Sequence, residues 1–123
     1  DMEYSLLGQK NEVENILMAA DFFIIPSLHE NLSNALLEAM SFELPAVASA
    51  VGGNVEVLSR GGGVLVPGGD SGALGQAISR YVNDKDSRRA DGVLARKVVK
   101  ESYTALHMAG RLSEVYRDIL HQT

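Results

Sequence analysis

Four short runs that are apolar at nearly every position, separated by stretches with helical spacing, leave this chain few folds to adopt. The runs are Tyr4 to Leu7, Phe22 to Ile25, Ala46 to Ser49 and Val64 to Val66. A strand with one wet face alternates apolar and polar residues, whereas a strand apolar throughout is buried on both faces. Helices inserted between such strands make the sheet parallel and cover it on both sides. The expected class is therefore α/β, a doubly wound parallel sheet of about four strands.

The helical stretches carry their own signals. Asn11 and Glu14 have the spacing of a capping box, and Val13, Ile16, Leu17 and Ala20 repeat at helical spacing behind it. A second helix carries Ala35, Leu36, Ala39 and Met40, with Ser33 or Asn34 at its start and Pro45 beyond its end. Gly52-Gly53 reads as a tight turn, with room for one helical turn over Val55 to Leu58. A fourth helix starts near Asp70 or Ser71 and carries Leu74, Ala77, Ile78 and Tyr81. Two more are predicted over 87–101 and 105–120, the last with Leu112, Val115, Tyr116 and Ile119 as a stripe that faces the core or else a further domain that covers it.

Composition narrows the function. A chain of 123 residues suits one domain. It has no apolar run of about 18 residues and no basic segment leading into an apolar one; a soluble, cytoplasmic domain is expected. The absence of cysteine removes disulfides, thiolate zinc sites and thiol nucleophiles. A formal net charge of -5 argues against nucleic acid as a partner, because that affinity comes from a basic surface. Any phosphate has to be bound locally.

In folds of this class ligands collect beyond the carboxyl ends of the strands, which directs attention to the loops after Ile25 and Ser49. The loop Ser27-Leu28-His29-Glu30-Asn31-Leu32-Ser33 feeds a helix start, whose free N–H groups and dipole suit a phosphate. Simple capping by Ser33 or Asn34 is the alternative. Glu30 lies in that loop, at the mouth of the crevice, and Glu38 lies inside the helix about 9–12 Å along at 1.5 Å per residue; because helical side chains lean toward the N-terminus, Glu38 is expected to point back toward the crevice. Carboxylates beside a diphosphate do best as acceptors for sugar hydroxyls, and a nucleotide sugar offers both groups. The spacing alone is weak, since about 0.6 such pairs are expected by chance at this glutamate content.

Context strengthens it. Ala-Asp-Phe-Phe-Ile-Ile-Pro-Ser at 20–27, Asn-Ala-Leu-Leu-Glu-Ala-Met at 34–40, Leu-Pro-Ala-Val-Ala-Ser at 44–49, Gly-Gly-Asn-Val-Glu-Val at 52–57 and Gly-Val-Leu-Val-Pro-Gly-Gly-Asp at 63–70 occur in that order. Together with the glutamate, seven residues, glutamate pattern of Glu30 and Glu38, they resemble the group 1 (family 4) retaining glycosyltransferases of the GT-B fold, over nearly all of 6–120. The resemblance implies a Rossmann-like sheet belonging to the C-terminal, nucleotide-sugar-binding half of such an enzyme, with residues 1–123 a part of that domain. It implies transfer of a sugar from a nucleoside-diphosphate donor with retention, without cofactor or metal. Glu30 is then the catalytic-site carboxylate at the donor's sugar ring, and Glu38 holds the ribose. Asn31, Leu32 and Ser33 offer backbone amides to the diphosphate, Gly52-Gly53 line the donor site, and Glu56 matches a further donor-site glutamate. For Glu56 a first-turn acidic residue favoured by the helix dipole is an equal alternative.

The chain departs from the family at several points. Asn31 stands where glycine is common, and asparagine tolerates unusual backbone angles. Phe42-Glu43 replace a small residue and glycine after the helix, and Arg60 replaces a turn-forming Asp or Asn. The N-terminal domain that binds the acceptor, with its functional histidine, has no counterpart here, nor do two strands and a basic pair. His29 beside the motif reads as an exposed loop histidine, with a catalytic histidine as the alternative. Arg88-Arg89, Arg96-Lys97 and Lys100 read as a solvated helix face, with an anionic membrane or partner patch as the alternative, which leaves peripheral membrane association of a full enzyme open. A non-catalytic nucleotide-binding module and a sheet-edge interaction domain are the rival functions.

The family's strand order, 3-2-1-4-5-6, sets a last expectation. The four runs match strands three to six, so Tyr4–Leu7 would sit about 14 Å from Phe22–Ile25 with two strands missing between. The favoured outcome is that Tyr4–Leu7 moves in beside Phe22–Ile25 by a right-handed crossover. The other is that it detaches and leaves the edge for another chain.

Overall fold

The computed structural model describes residues 3–121. Its elements run α1 (Glu14–Ala19), β1 (Phe23–Ile25), α2 (Asn34–Ser41), β2 (Ala46–Ser49), α3 (Gly53–Leu58), β3 (Gly63–Val66), α4 (Ser71–Asn83), α5 (Lys85–Ser102) and α6 (Ala105–His121). The strands form one parallel sheet in the order β1-β2-β3, with Phe23 opposite Ala46 and Ala46 opposite Gly63. This is the expected α/β class, with three strands among the described residues instead of four.

All four residues of β2 are buried, as a central parallel strand requires. Successive side chains face opposite sides. Ala46 and Ala48 pack with Leu36 and Met40 of α2, Val57 and Leu58 of α3, and Ala95 and Val98 of α5. Val47 and Val66 pack on the other face with Ala77 and Tyr81 of α4, where the rings of Phe22 and Tyr81 lie 5.6 Å apart. The small residues of β2 let α2 and α3 sit close to the sheet. The helix starts follow local chemistry: the Asp70 carboxylate accepts from Ala73 N at 2.9 Å, and that of Asp84 from Ser87 N at 2.9 Å.

The end of α2 resolves one departure from the family pattern. Glu43 has φ 61°, its N–H donates to Met40 O at 3.1 Å, and the N–H of Leu44 donates to Ala39 O at 3.3 Å. This pair of bonds is a Schellman cap, for which glycine is the usual left-handed residue. Glu43 takes the glycine's backbone conformation, and its carboxylate lies 3.4 Å from Arg96 Nη1.

Three expectations are corrected. Tyr4–Leu7 is not a buried strand: Tyr4 is 82% and Leu6 93% exposed, and the segment joins no strand, so the outer edge of β1 is free among the described residues. The favoured re-pairing beside β1 does not occur and the segment is detached. A four-residue run gains little from one new ladder, and α1 does not carry it across the sheet; its six residues lie instead with Leu17 packed against Ala39 and Leu44. The capping box is also absent. The N-cap of α1 is Val13 without a side-chain bond, so Asn11 falls outside the helix. Finally, Leu112, Val115, Tyr116 and Ile119 are not core, being 54–60% exposed on a helix with no buried residue. Among the described residues no helix is long and apolar enough to cross a membrane.

Candidate functional site

The chain leaves β1 at Ile25 and re-enters regular structure at α2, and the intervening loop forms one wall of an open depression of about 780 Å³. Leu28, His29, Glu30, Asn31 and Leu32 supply that wall, and Val51 and Gly52, after the end of β2, supply the other. The depression thus lies at the carboxyl ends of two neighbouring parallel strands, where the open α/β class places its ligands.

Two features hold the loop. Ser33, almost fully buried, caps α2 by accepting from Leu36 N at 3.1 Å. The Gly52-Gly53 turn abuts the loop backbone to backbone. Gly53 N donates to Asn31 O at 2.8 Å. A Cβ on Gly52 would stand 1.6 Å from Glu30 O, and one on Gly53 would stand 2.5 Å from Asn31 O. Gly52 also has φ 51° and ψ -137°, a conformation that side chains disfavour. The two glycines are required by this close approach, and they bring the two walls together.

Within that frame Glu30 is half-buried, and its Oε2 accepts from Ser27 Oγ at 3.0 Å. The serine orients the carboxylate while leaving it further acceptor capacity. Among the described residues the backbone N–H groups of Asn31, Leu32, Ser33, Asn34 and Ala35 have no protein acceptor. Such a run of free donors at a helix start favours an anion. Asn31 does not have a positive φ, so the backbone there makes no special demand for glycine.

Not every expected residue gathers at the depression. Glu30, Asn31, Leu32 and Gly52 line it; Ser33 and Gly53 support it from behind. Glu38 is exposed on α2, off the face that buries Leu36, Ala39 and Met40, and does not line the depression. The Glu56 carboxylate is engaged elsewhere, accepting from Tyr103 Oη at 3.1 Å. Sequence reasoning gave no individual role to Ser27, Val51 or Asn54. Asn54 is fully buried, donates from Nδ2 to Ser49 O at 3.1 Å, and leaves Oδ1 without a partner. Only its place directly after Gly53 hinted at a role. Among the described residues no group of three or more His, Asp or Glu side chains gathers as a metal site would need.

Comparison with known proteins identifies the family and the fold. The family model described as glycosyl transferases group 1 matches residues 2–84. The chain is 36% identical, over 89% of its length, to alpha-maltose-1-phosphate synthase of Mycolicibacterium smegmatis. It is 31% identical, over 94% of its length, to the UDP-Gal:alpha-D-GlcNAc-diphosphoundecaprenol alpha-1,3-galactosyltransferase of Escherichia coli. It covers 30% of each of those proteins. Among solved structures, the sucrose-phosphate synthase of Thermosynechococcus elongatus superposes with a TM-score of 0.78 at 30% identity, over 90% of this chain and 28% of that one. The chain belongs to the group 1 glycosyltransferases of GT-B architecture, and it spans about 30% of the length of the curated relatives it matches.

Proposed function

We propose that this chain is the donor-binding part of a retaining glycosyltransferase that uses a nucleoside-diphosphate sugar. The observation that carries the reading is the loop over 27–33, pinned by Gly52-Gly53, which places an oriented carboxylate and a run of free backbone donors at one depression. The name of the Escherichia coli relative specifies a UDP-linked sugar, in keeping with that chemistry.

In this reading the amides of Asn31, Leu32 and Ser33 and the start of α2 receive the diphosphate. Their partial positive charge stabilises the negative charge that grows on the leaving group as the glycosidic bond breaks, and it does so without reorganisation. Glu30 accepts hydrogen bonds from hydroxyls of the sugar ring and fixes the anomeric carbon relative to the incoming acceptor. Glu38 takes the ribose, which requires the nucleoside to extend from the depression along the exposed face of α2. The acceptor, and further charges on the diphosphate, come from the remaining length of the full protein.

Titration of the 123-residue chain with uridine, guanosine and adenosine diphosphates tests the reading. Binding of at least one at a Kd of about 0.1–1 mM is expected for such a partial site, with chemical-shift changes centred on residues 28–33 and 51–53. No binding of any of the three, or binding centred elsewhere, would refute it. The chain alone is expected to show no sugar transfer.

A further inference from the structure

Glu56 sits three positions after Gly53, yet its carboxylate is held by a residue 47 positions away, Tyr103. Tyr103 caps the end of α5, is 6% exposed, and packs in the same cluster as Val57 and Leu58 of α3. Two guanidinium groups lie over its ring, that of Arg60 in α3's trailing turn at 5.8 Å and that of Arg111 of α6 at 5.1 Å from the centroid. Both arginines also bond Ser102: Arg60 to its hydroxyl, and Arg111 Nη2 to its carbonyl at 2.7 Å. Burial, and then the bond to Glu56, raises the Tyr103 phenol above its ordinary range, so Oη keeps its proton and stays a donor.

At the other end of α3, Asn54 Nδ2 donates to Ser49 O at 3.1 Å and ties the helix to the end of β2. A six-residue helix is far too short to be stable by itself. Its placement therefore depends on its packing and on these two side-chain bonds. Its first residue is Gly53, whose N–H holds Asn31 O.

We propose that Glu56 is a positioning residue: by accepting from Tyr103 it fixes α3, and through α3 it seats the Gly52-Gly53 turn against the loop that carries Glu30. Glu56 then acts on the donor's diphosphate end without touching it, in contrast to the direct donor contact that the family pattern implied. This rests on the donor-site reading for its functional consequence, but not for its structural one. The role needs an acceptor at Oε1, not a charge, so an amide should serve.

The experiment uses the isotope-labelled 123-residue chain and its variants Tyr103→Phe, Glu56→Ala and Glu56→Gln. Amide hydrogen exchange is read at Gly53 and along β2, and each protein is titrated with the same three nucleoside diphosphates. Tyr103→Phe and Glu56→Ala should speed exchange at Gly53 and weaken the best diphosphate by about three- to tenfold, while Glu56→Gln stays within about twofold of the parent. The β2 amides should not change. Loss of binding in both Glu56 variants with Tyr103→Phe unaffected would overturn the proposal in favour of direct ligand contact. Equal acceleration at β2 and Gly53 would reduce the bond to general stability, and no change anywhere would show it idle. If the parent chain binds none of the diphosphates, the donor-site reading fails, and exchange at Gly53 still decides whether Glu56 positions the turn.

Discussion

Gly52→Ala is the substitution whose effect the geometry specifies most closely. A Cβ at this position would stand 1.6 Å from Glu30 O and 2.7 Å from Glu30 C. Real contacts of this kind stay at or beyond about 3.0 Å, so the turn and the loop must part by roughly 1.4 Å, through backbone that has no rotamer to yield. The native φ of 51° with ψ -137° adds about 1–3 kcal/mol of strain for a residue with a Cβ. Against this, alanine narrows the unfolded ensemble, an offset of about 0.4–1 kcal/mol. Allowing for relaxation of the loop, the net loss is about 2–4 kcal/mol. Unfolding entropy of about 2.1 cal/mol/K per residue gives about 4 °C per kcal/mol for a chain of this size, so Tm should fall by about 8–16 °C. Gly75→Ala is the control: it lies inside α4 with nothing within 4 Å of the added carbon, and should gain about 0.5–1 kcal/mol from helix propensity. Calorimetry of both variants, with diphosphate titration of each, measures the pair. A Gly52→Ala protein as stable as the parent, with unchanged residues 30–32 in its amide spectrum, would refute the close approach.

Other outcomes follow from single contacts. Glu43→Gly should leave the chain between unchanged and about 1 kcal/mol more stable, because glycine relieves the left-handed cap while the exposed pair with Arg96 offsets at most about as much; a loss of stability in urea denaturation would contradict the cap reading. Tyr81 Oη donates to Asp91 Oδ2 at 2.6 Å, and burial, then that bond, raises its pKa. The unfolded phenol loses its proton near the ordinary value of 10 while the folded one keeps it, so stability is intact below pH 10 and falls above it; Tyr81→Phe should flatten that fall and cost about 1–2 kcal/mol at neutral pH. In the complete enzyme, Glu38→Ala should cost donor affinity and rate together by about 1–3 kcal/mol, and Glu30→Ala should fall mainly on turnover; steady-state kinetics with a panel of nucleotide sugars would expose the assignment if both variants remain fully active.

The parts of the fold legible in the sequence are those whose causes are local. β2 falls at the expected 46–49 because a wholly apolar run flanked by Pro45 and Gly52-Gly53 has one compatible state, and α2 and α4 start where Ser33 and Asp70 can cap them. Tyr4–Leu7 misled because a strand is defined by its neighbour, and four apolar residues carry no record of whether that neighbour is present. The stripe on α6 misled for the same reason: Leu112 and Ile119 have the spacing of a packed face, but spacing does not say what the face packs against. The capping box at Asn11 and Glu14 shows that spacing alone does not make a cap: the helix begins at Glu14 with Val13 as its N-cap, two residues beyond the start that the pattern assigns.

The candidate site was legible in its residue types but not in its construction. Its walls meet through carbonyl oxygens, Glu30 O against Gly52 and Asn31 O against Gly53, and a carbonyl is common to every residue. The only trace such a contact leaves in a sequence is the side chain missing on the other partner. This explains why Asn31 can stand where the family commonly has glycine: its φ is not positive, and the contact uses its backbone oxygen alone. It also explains why the two glycines, which bear no chemistry of their own, constrain the site more tightly than Asn31 and Leu32, which line it. Where a site is assembled from backbone in this way, the residues that touch the ligand can vary in type, and the substitutions that destroy it are those that add a single carbon behind the loop.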